Sequence, residues 1–168
     1  MSYQAACLEY IFGEEVVSTF PKRYKALYAA ILTKDAQSFT EVIEGVLGNI
    51  SYFQHIPLEK YYHSVVQSAL VGMGFETLDK VPGSNGRSDM AIILPDDIQV
   101  ILELKHRDRV EPRNLKKIQA ELASGLKEAR LAIENKKYDH PFFKDPSKIV
   151  KIGLAIYGRS DARTKFFN

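Results

Sequence analysis

Asp89, Glu103 and Lys105 are the residues of this 168-residue chain whose types and spacing carry chemistry. Glu103 and Lys105 stand two apart at the end of an apolar run, Ile98-Gln99-Val100-Ile101-Leu102, which reads as a central strand. A side-chain period of two puts both on one face of the sheet. Burying a carboxylate or an amine alone is expensive, whereas burying them together, or with a metal, is tolerable. Asp89 joins them through a hairpin. With Pro95-Asp96-Asp97 as the loop, Leu94 faces Ile98, and counting outward sets Asp89 opposite Glu103. Directly opposed Cβ atoms lie about 4.5–5.5 Å apart, so the two carboxylates need positive charge between them. Lys105 supplies part of it, and hard oxygen ligands at this spacing suit Mg²⁺ or Mn²⁺. A loop of two or four residues would shift the register and remove the pair.

The chemistry follows from these types. A divalent ion held by one or two carboxylates keeps several waters and binds phosphate oxygens. It lowers the pKa of a bound water and neutralises charge that builds on phosphorus. Lys105 would orient or deprotonate the attacking water, or stabilise the transition state. The alternative is an ordinary hairpin salt bridge between Asp89 and Lys105, with affinity for neither metal nor DNA. An Asp followed by Glu-x-Lys is a loose pattern. The apolar strand around Glu103, the facing register and the order of the flanking helices favour the site.

Those elements can be read from periodicity. Residues 1–56 form an N-terminal helical region, clearest in the stripe Phe39, Val42, Ile43, Val46, Leu47 and Ile50. Asp35 or Ser38 caps that helix, and Pro21 either breaks or reopens an earlier one. Residues 57–168 carry the core. Pro57 suits the first turn of a helix through Met73, ended by Gly72 and Gly74, with Glu59, His63 and Gln67 along one polar edge. Strands follow at 75–81, 88–94 and 98–105, with Pro82-Gly83-Ser84-Asn85-Gly86 as a turn. Pro112 opens a long amphipathic helix, and Ile149 to Tyr157 makes a final strand stopped by Gly158. The order is helix, three-stranded meander, helix, strand: an α/β domain with a mixed sheet flanked by helices.

Gly86-Arg87-Ser88-Asp89 followed by Ile101-Leu102-Glu103-Leu104-Lys105 resembles the PD-(D/E)XK nuclease superfamily. The closest branch is the nuclease-like domain usually found C-terminal to an AAA-type ATPase-like domain. Gly13-Glu14-Glu15-Val16, Glu59-Lys60-Tyr61-Tyr62-His63, Glu134-Asn135-Lys136-Lys137-Tyr138 and Lys151-Ile152-Gly153-Leu154-Ala155 extend the similarity over most of the chain. The resemblance implies a restriction-endonuclease-like core in which Asp89 and Glu103 bind Mg²⁺ or Mn²⁺. It adds the Leu104 carbonyl and Glu59 as further ligands, and assigns the water to Lys105. Two departures stand out. Ser88 replaces the proline of the superfamily's name, and Ala132 falls where related sequences often carry a Gln.

Several residues around this trio are expected as accessory or nucleic-acid contacts. His63 lies one helical turn from Glu59, Arg87 precedes the Asp89 corner, and His106 and Arg107 directly follow Lys105. Arg109, Arg113, Lys116 and Lys117 continue the basic stretch, although Asp108, Glu111 and Glu121 are interspersed as on a solvated face. Tyr61, Tyr62 and Tyr138 are assigned to packing. A net charge of +2 is too small to argue for nucleic acid by itself. One cysteine, Cys7, excludes an internal disulfide and is taken as a small buried hydrophobe. No apolar run suggests a membrane partner or a signal peptide, and the chain is read as cytoplasmic. No Gly-x4-Gly-Lys-Ser/Thr loop occurs, so an ATPase partner or domain would lie outside this chain.

Together these features point to a metal-dependent nuclease acting on DNA. A junction-resolving form of that activity would require a homodimer with two sites. The rival is a nuclease-fold module that binds nucleic acid or a protein partner without efficient catalysis, which the alanine at 132 favours.

Overall fold

The apolar alternation of residues 98–105 builds the centre of the sheet. In a computed structural model that describes residues 3–50, 56–80, 82–83, 86–109, 114–136 and 145–168, the strand there is β5 (Gln99–Arg107). It lies between β4 (Met90–Ile93) and β6 (Ile149–Tyr157), with β1 (Glu76–Asp79) and β7 (Asp161–Phe167) at the edges. The order β1-β4-β5-β6-β7 is antiparallel at each junction except the parallel β5–β6 pair. The sheet is therefore mixed, as the element order requires.

Residues 95–97 form a 3₁₀ turn in which Asp96 and Asp97 take positive φ, and Leu94 N–H donates to the Ile98 carbonyl at 2.9 Å. Met90 pairs with Leu102 and Ile93 with Gln99, the register expected of a three-residue loop. Pro82–Gly83 and Gly86–Arg87, expected as a plain turn, are the short paired strands β2 and β3. Ser84 and Asn85 of that turn lie outside the described residues.

The two faces of β5 separate cleanly. Val100, Leu102 and Leu104 join a core with α3 (Phe20–Thr33), α4 (Ala36–Leu47) and α5 (Glu59–Met73), so the N-terminal helices and the sheet share one hydrophobic cluster. The opposite face carries α6 (Leu115–Lys136), whose Ile133 packs on Ala91 and Ile101. Further along, Ile118, Leu122 and Leu126 cover Ala155 and Tyr157. Two shorter helices, α1 (Tyr3–Phe12) and α2 (Glu14–Ser18), precede α3; α1 packs on α5 and α2 on α3.

Local signals explain the boundaries. The Asp35 carboxylate accepts from Gln37 and Ser38 N–H, so Asp35 rather than Ser38 caps α4. Pro21 sits in the first turn of α3 and opens it. Gly74 ends α5 at φ 107°, whereas Gly72 stays inside the helix, where a Cβ would meet Phe20 and Leu8. Pro112 lies outside the described residues. The described start of α6 is capped by Asn114 Oδ1, which accepts from Lys116 and Lys117 N–H.

Strand β7 corrects the expectation that the fold ends at Gly158. Gly158, at φ 60°, turns the chain back instead of stopping it. Ala162 and Thr164 carry too little apolar signal to mark a strand, yet both are buried against α4. Cys7 is half-buried rather than buried. No described helix is long and apolar enough to cross a membrane.

Candidate active site

β4 stops pairing at Met90, yet β5 runs on to Arg107. Beyond Leu102 the β4-side edge of β5 is therefore open, and its outward N–H groups need acceptors. Two carboxylates supply them. Asp89, at the corner before β4, accepts from Leu104 N–H at 3.0 Å, and Glu59, the first residue of α5, accepts from His106 N–H at 3.1 Å. A strand residue sends its N–H and C=O to the same side, so the Leu104 carbonyl points to this open edge too.

Glu103 and Lys105 project from the α6 face of β5, as the period of two requires. The Lys105 Cβ lies beside Gly125, at 3.5 Å from where a Cβ at that glycine would stand. Glu103 is fully buried. Its Oε1 accepts from Asp89 N–H at 3.3 Å and from the Lys136 ammonium at 2.6 Å. That ion pair offsets the cost of burying the carboxylate. Lys105 Nζ lies 3.6 Å from Glu59 Oε1. The structure thus links the expected trio and Glu59 at one corner, with a lysine at each end of the acidic row.

A cleft of about 370 Å³ opens beside this corner, lined by Glu59, His63, Asp79, Lys80, Asp89 and Leu104 among others. Gln67 lines it as well, so the polar edge of α5 faces the cleft along its length. Glu103 and Lys105 reach the cleft through their contacts with Asp89 and Glu59. His63 Nε2 donates to the Asp89 carbonyl at 2.6 Å and lies 3.6 Å from Asp79 Oδ1. The same carbonyl accepts from Lys80 N–H at 3.3 Å. His63 therefore fixes the corner that presents Asp89.

Other expected contacts fall elsewhere. His106, expected to reach a phosphate, is buried; its ring stacks on Tyr62 at 4.0 Å and donates to the Gly158 carbonyl at 2.9 Å. Its even position in β5 turns it into the helical core, which parity could have foretold. Arg107 is held on α6, bonded to Glu128 and 3.8 Å from Glu121. Glu128 raises the guanidinium pKa further, and the bond from Arg107 holds the Glu128 carboxyl below its ordinary range. Arg87 is exposed near the corner. Tyr62 is a core residue, its hydroxyl pKa pushed up by burial. Arg113, Glu111 and Tyr138 lie outside the described residues.

Lys136 and Asp79 were not among the expected site residues. Lys136 carries a sequence signal: it follows Ala129 and Ile133 on the buried stripe of α6, where a lysine must find a partner. Asp79 carries none, because its place depends on where β1 ends against the helix α5.

The donor set fits a hard divalent ion. Asp89, Glu103, Glu59 and the Leu104 carbonyl are all oxygen donors, gathered at the open end of one strand. Among the described residues no three His, Cys, Asp or Glu side chains are clustered as a ready ligand group. The family model described as the PD-(D/E)XK nuclease superfamily matches residues 58–166, which contain this whole site. No curated protein matches the chain.

Proposed function

The chain belongs to the PD-(D/E)XK nuclease superfamily, and on that premise we propose that it hydrolyses DNA phosphodiester bonds with a bound Mg²⁺ or Mn²⁺. The observation that carries this reading is the coupling of Asp89 to both Glu103 and Leu104 at the open edge of β5. Asp89, Glu103, Glu59 and the Leu104 carbonyl are the groups that would hold the ion. When bound, the ion supplies an activated water and charge neutralisation at the phosphate.

The chain's own residues do the rest. Lys105, whose Nζ lies 3.6 Å from Glu59 Oε1, would donate to the attacking water or to a phosphate oxygen. His63 holds the Asp89 main chain, so the ligand corner is preorganised. Lys136 compensates the buried Glu103 charge in the ion-free protein and must yield part of that contact to an incoming cation.

Purified protein should nick or linearise plasmid DNA with Mn²⁺ or Mg²⁺ and do nothing in EDTA. Glu103→Ala and Lys105→Ala, folded by circular dichroism, should be inactive. Folded wild-type protein that leaves every DNA and RNA form intact with either metal overturns the enzyme.

A second reading has its own observation: Lys136 already pairs with Glu103 Oε1, and Ala132 offers no polar helper one turn earlier. A nuclease-fold module that binds nucleic acid or a protein partner would keep that pair permanently. Calorimetric titration separates the two, because the permanent pair leaves no heat of Mn²⁺ binding that depends on Glu103.

A further inference from the structure

A groove of about 410 Å³ lies between α6 and β7 and shares no lining residue with the cleft. Leu126 and Phe167 are among its apolar lining, and Lys127, Arg130, Arg163 and Lys165 are its cationic side chains, all four exposed. The cations come from both walls, two from the helix and two from alternate positions of the strand. Among the described residues Arg130 alone has an acidic partner, Glu134, at 2.6 Å; Lys127, Arg163 and Lys165 have none.

Register fixes where this groove lies. Arg163 pairs with Ala155, which pairs with Lys105; Lys165 pairs with Gly153, which pairs with Glu103. Residues in one such row share a face of the sheet. The two groove cations of β7 therefore stand level with the two site residues of β5, roughly 10 Å away across two strand spacings. Between the rows α6 sits close to the sheet, because Gly125 and Ala129 meet Ala155 and Gly153. Helix α6 links the two regions: it lines the groove, and its last residue, Lys136, bonds Glu103.

We infer that this groove binds the sugar-phosphate backbone of DNA, as a contact surface separate from the cleft. Three cations with no acidic partner among the described residues, lining one concave strip from both walls, match a polyanionic backbone. The inference rests on the nucleic-acid substrate proposed above, but it requires neither the metal nor cleavage.

The test measures binding in EDTA, where no cleavage occurs. Anisotropy of a short labelled duplex is followed across a salt series for wild type, for Arg163→Gln/Lys165→Gln, and, as a control, for Lys22→Gln/Lys25→Gln, exposed on α3 across the sheet. The groove variant should bind about tenfold more weakly near 0.1 M salt, and its log–log salt slope should fall by about two, close to one per lost phosphate contact. The affinity of the control variant should change less. Equal affinity and slope for wild type and groove variant overturn the inference, as does a wild type with no DNA affinity. A wild type that binds through the groove but cleaves nothing with Mn²⁺ sinks the nuclease reading and leaves the groove standing.

Discussion

The open edge of β5 and the outer edge of β7 face the same backbone problem and solve it with different residues. At β5, Leu104 and His106 N–H groups are capped by Asp89 and Glu59. At β7, Ala162 and Thr164 N–H groups are capped by Glu44 and Thr40, one turn apart on α4. Both devices blunt a strand edge that would otherwise invite pairing. A hydroxyl is enough to accept an N–H, as Thr40 demonstrates. The β5 edge carries two carboxylates, a third in the fully buried Glu103, and two lysines paired against them. That charge exceeds what edge capping requires. On the function proposed above, that excess serves the metal and the phosphate, whereas the β7 edge is only a joint between helix and sheet.

Mutation should separate the two edges. Glu103→Ala removes a proposed ligand and should lower DNA cleavage by about 10²-fold or more, while leaving the melting temperature within a few degrees. A variant that cleaves normally would reduce the β5 edge to the status of the β7 edge. Thr40→Val should do the converse. It leaves the buried Thr164 N–H without an acceptor, costing about 1–3 kcal/mol in urea unfolding, with cleavage per folded molecule unchanged.

Lys136→Met sharpens the comparison from within the site. Removing the ammonium that competes for Glu103 should tighten Mn²⁺ binding several-fold by calorimetry and lower ion-free stability by roughly 1–3 kcal/mol. Unchanged Mn²⁺ affinity would mean that the pair lies off the metal's path.

The smallest effect concerns Arg107 and Glu128. Their bond lowers the folded pKa of Glu128, so its contribution is full above the ordinary value of 4.5 and is lost as pH falls through the lower folded value. Glu128 is about half exposed, so solvent screening leaves only a few tenths of a kcal/mol. Urea midpoints of wild type and Glu128→Gln should converge slightly on acidification. Parallel curves between neutral pH and the acid limb would exclude the linkage.

Local periodicity made much of the site legible. The period of two put Glu103 and Lys105 on one face, and the three-residue loop at 95–97 set Asp89 against Glu103. Glu59, His63 and Gln67 shared a helix edge by spacing, and all three line the cleft. Each of these relations depends on dihedral repeats or on a short turn, which neighbouring residues dictate. β7 was hidden because its inward side chains, Ala162 and Thr164, are small or polar and take their burial from α4.

Contacts between distant elements were decided by tertiary packing alone. The approach of α6 to the sheet, set by Gly125 and Ala129 against Ala155 and Gly153, brings Lys136 onto Glu103 across thirty-three residues of chain. The seating of α5 sends Glu59 to the His106 N–H across forty-seven. The same packing set Tyr62 against the His106 ring and drew Arg107 onto Glu128. Sequence fixes which face a side chain leaves from, because that is a matter of backbone geometry. What it meets there depends on how helices dock on a twisted sheet, and that is a property of the whole core.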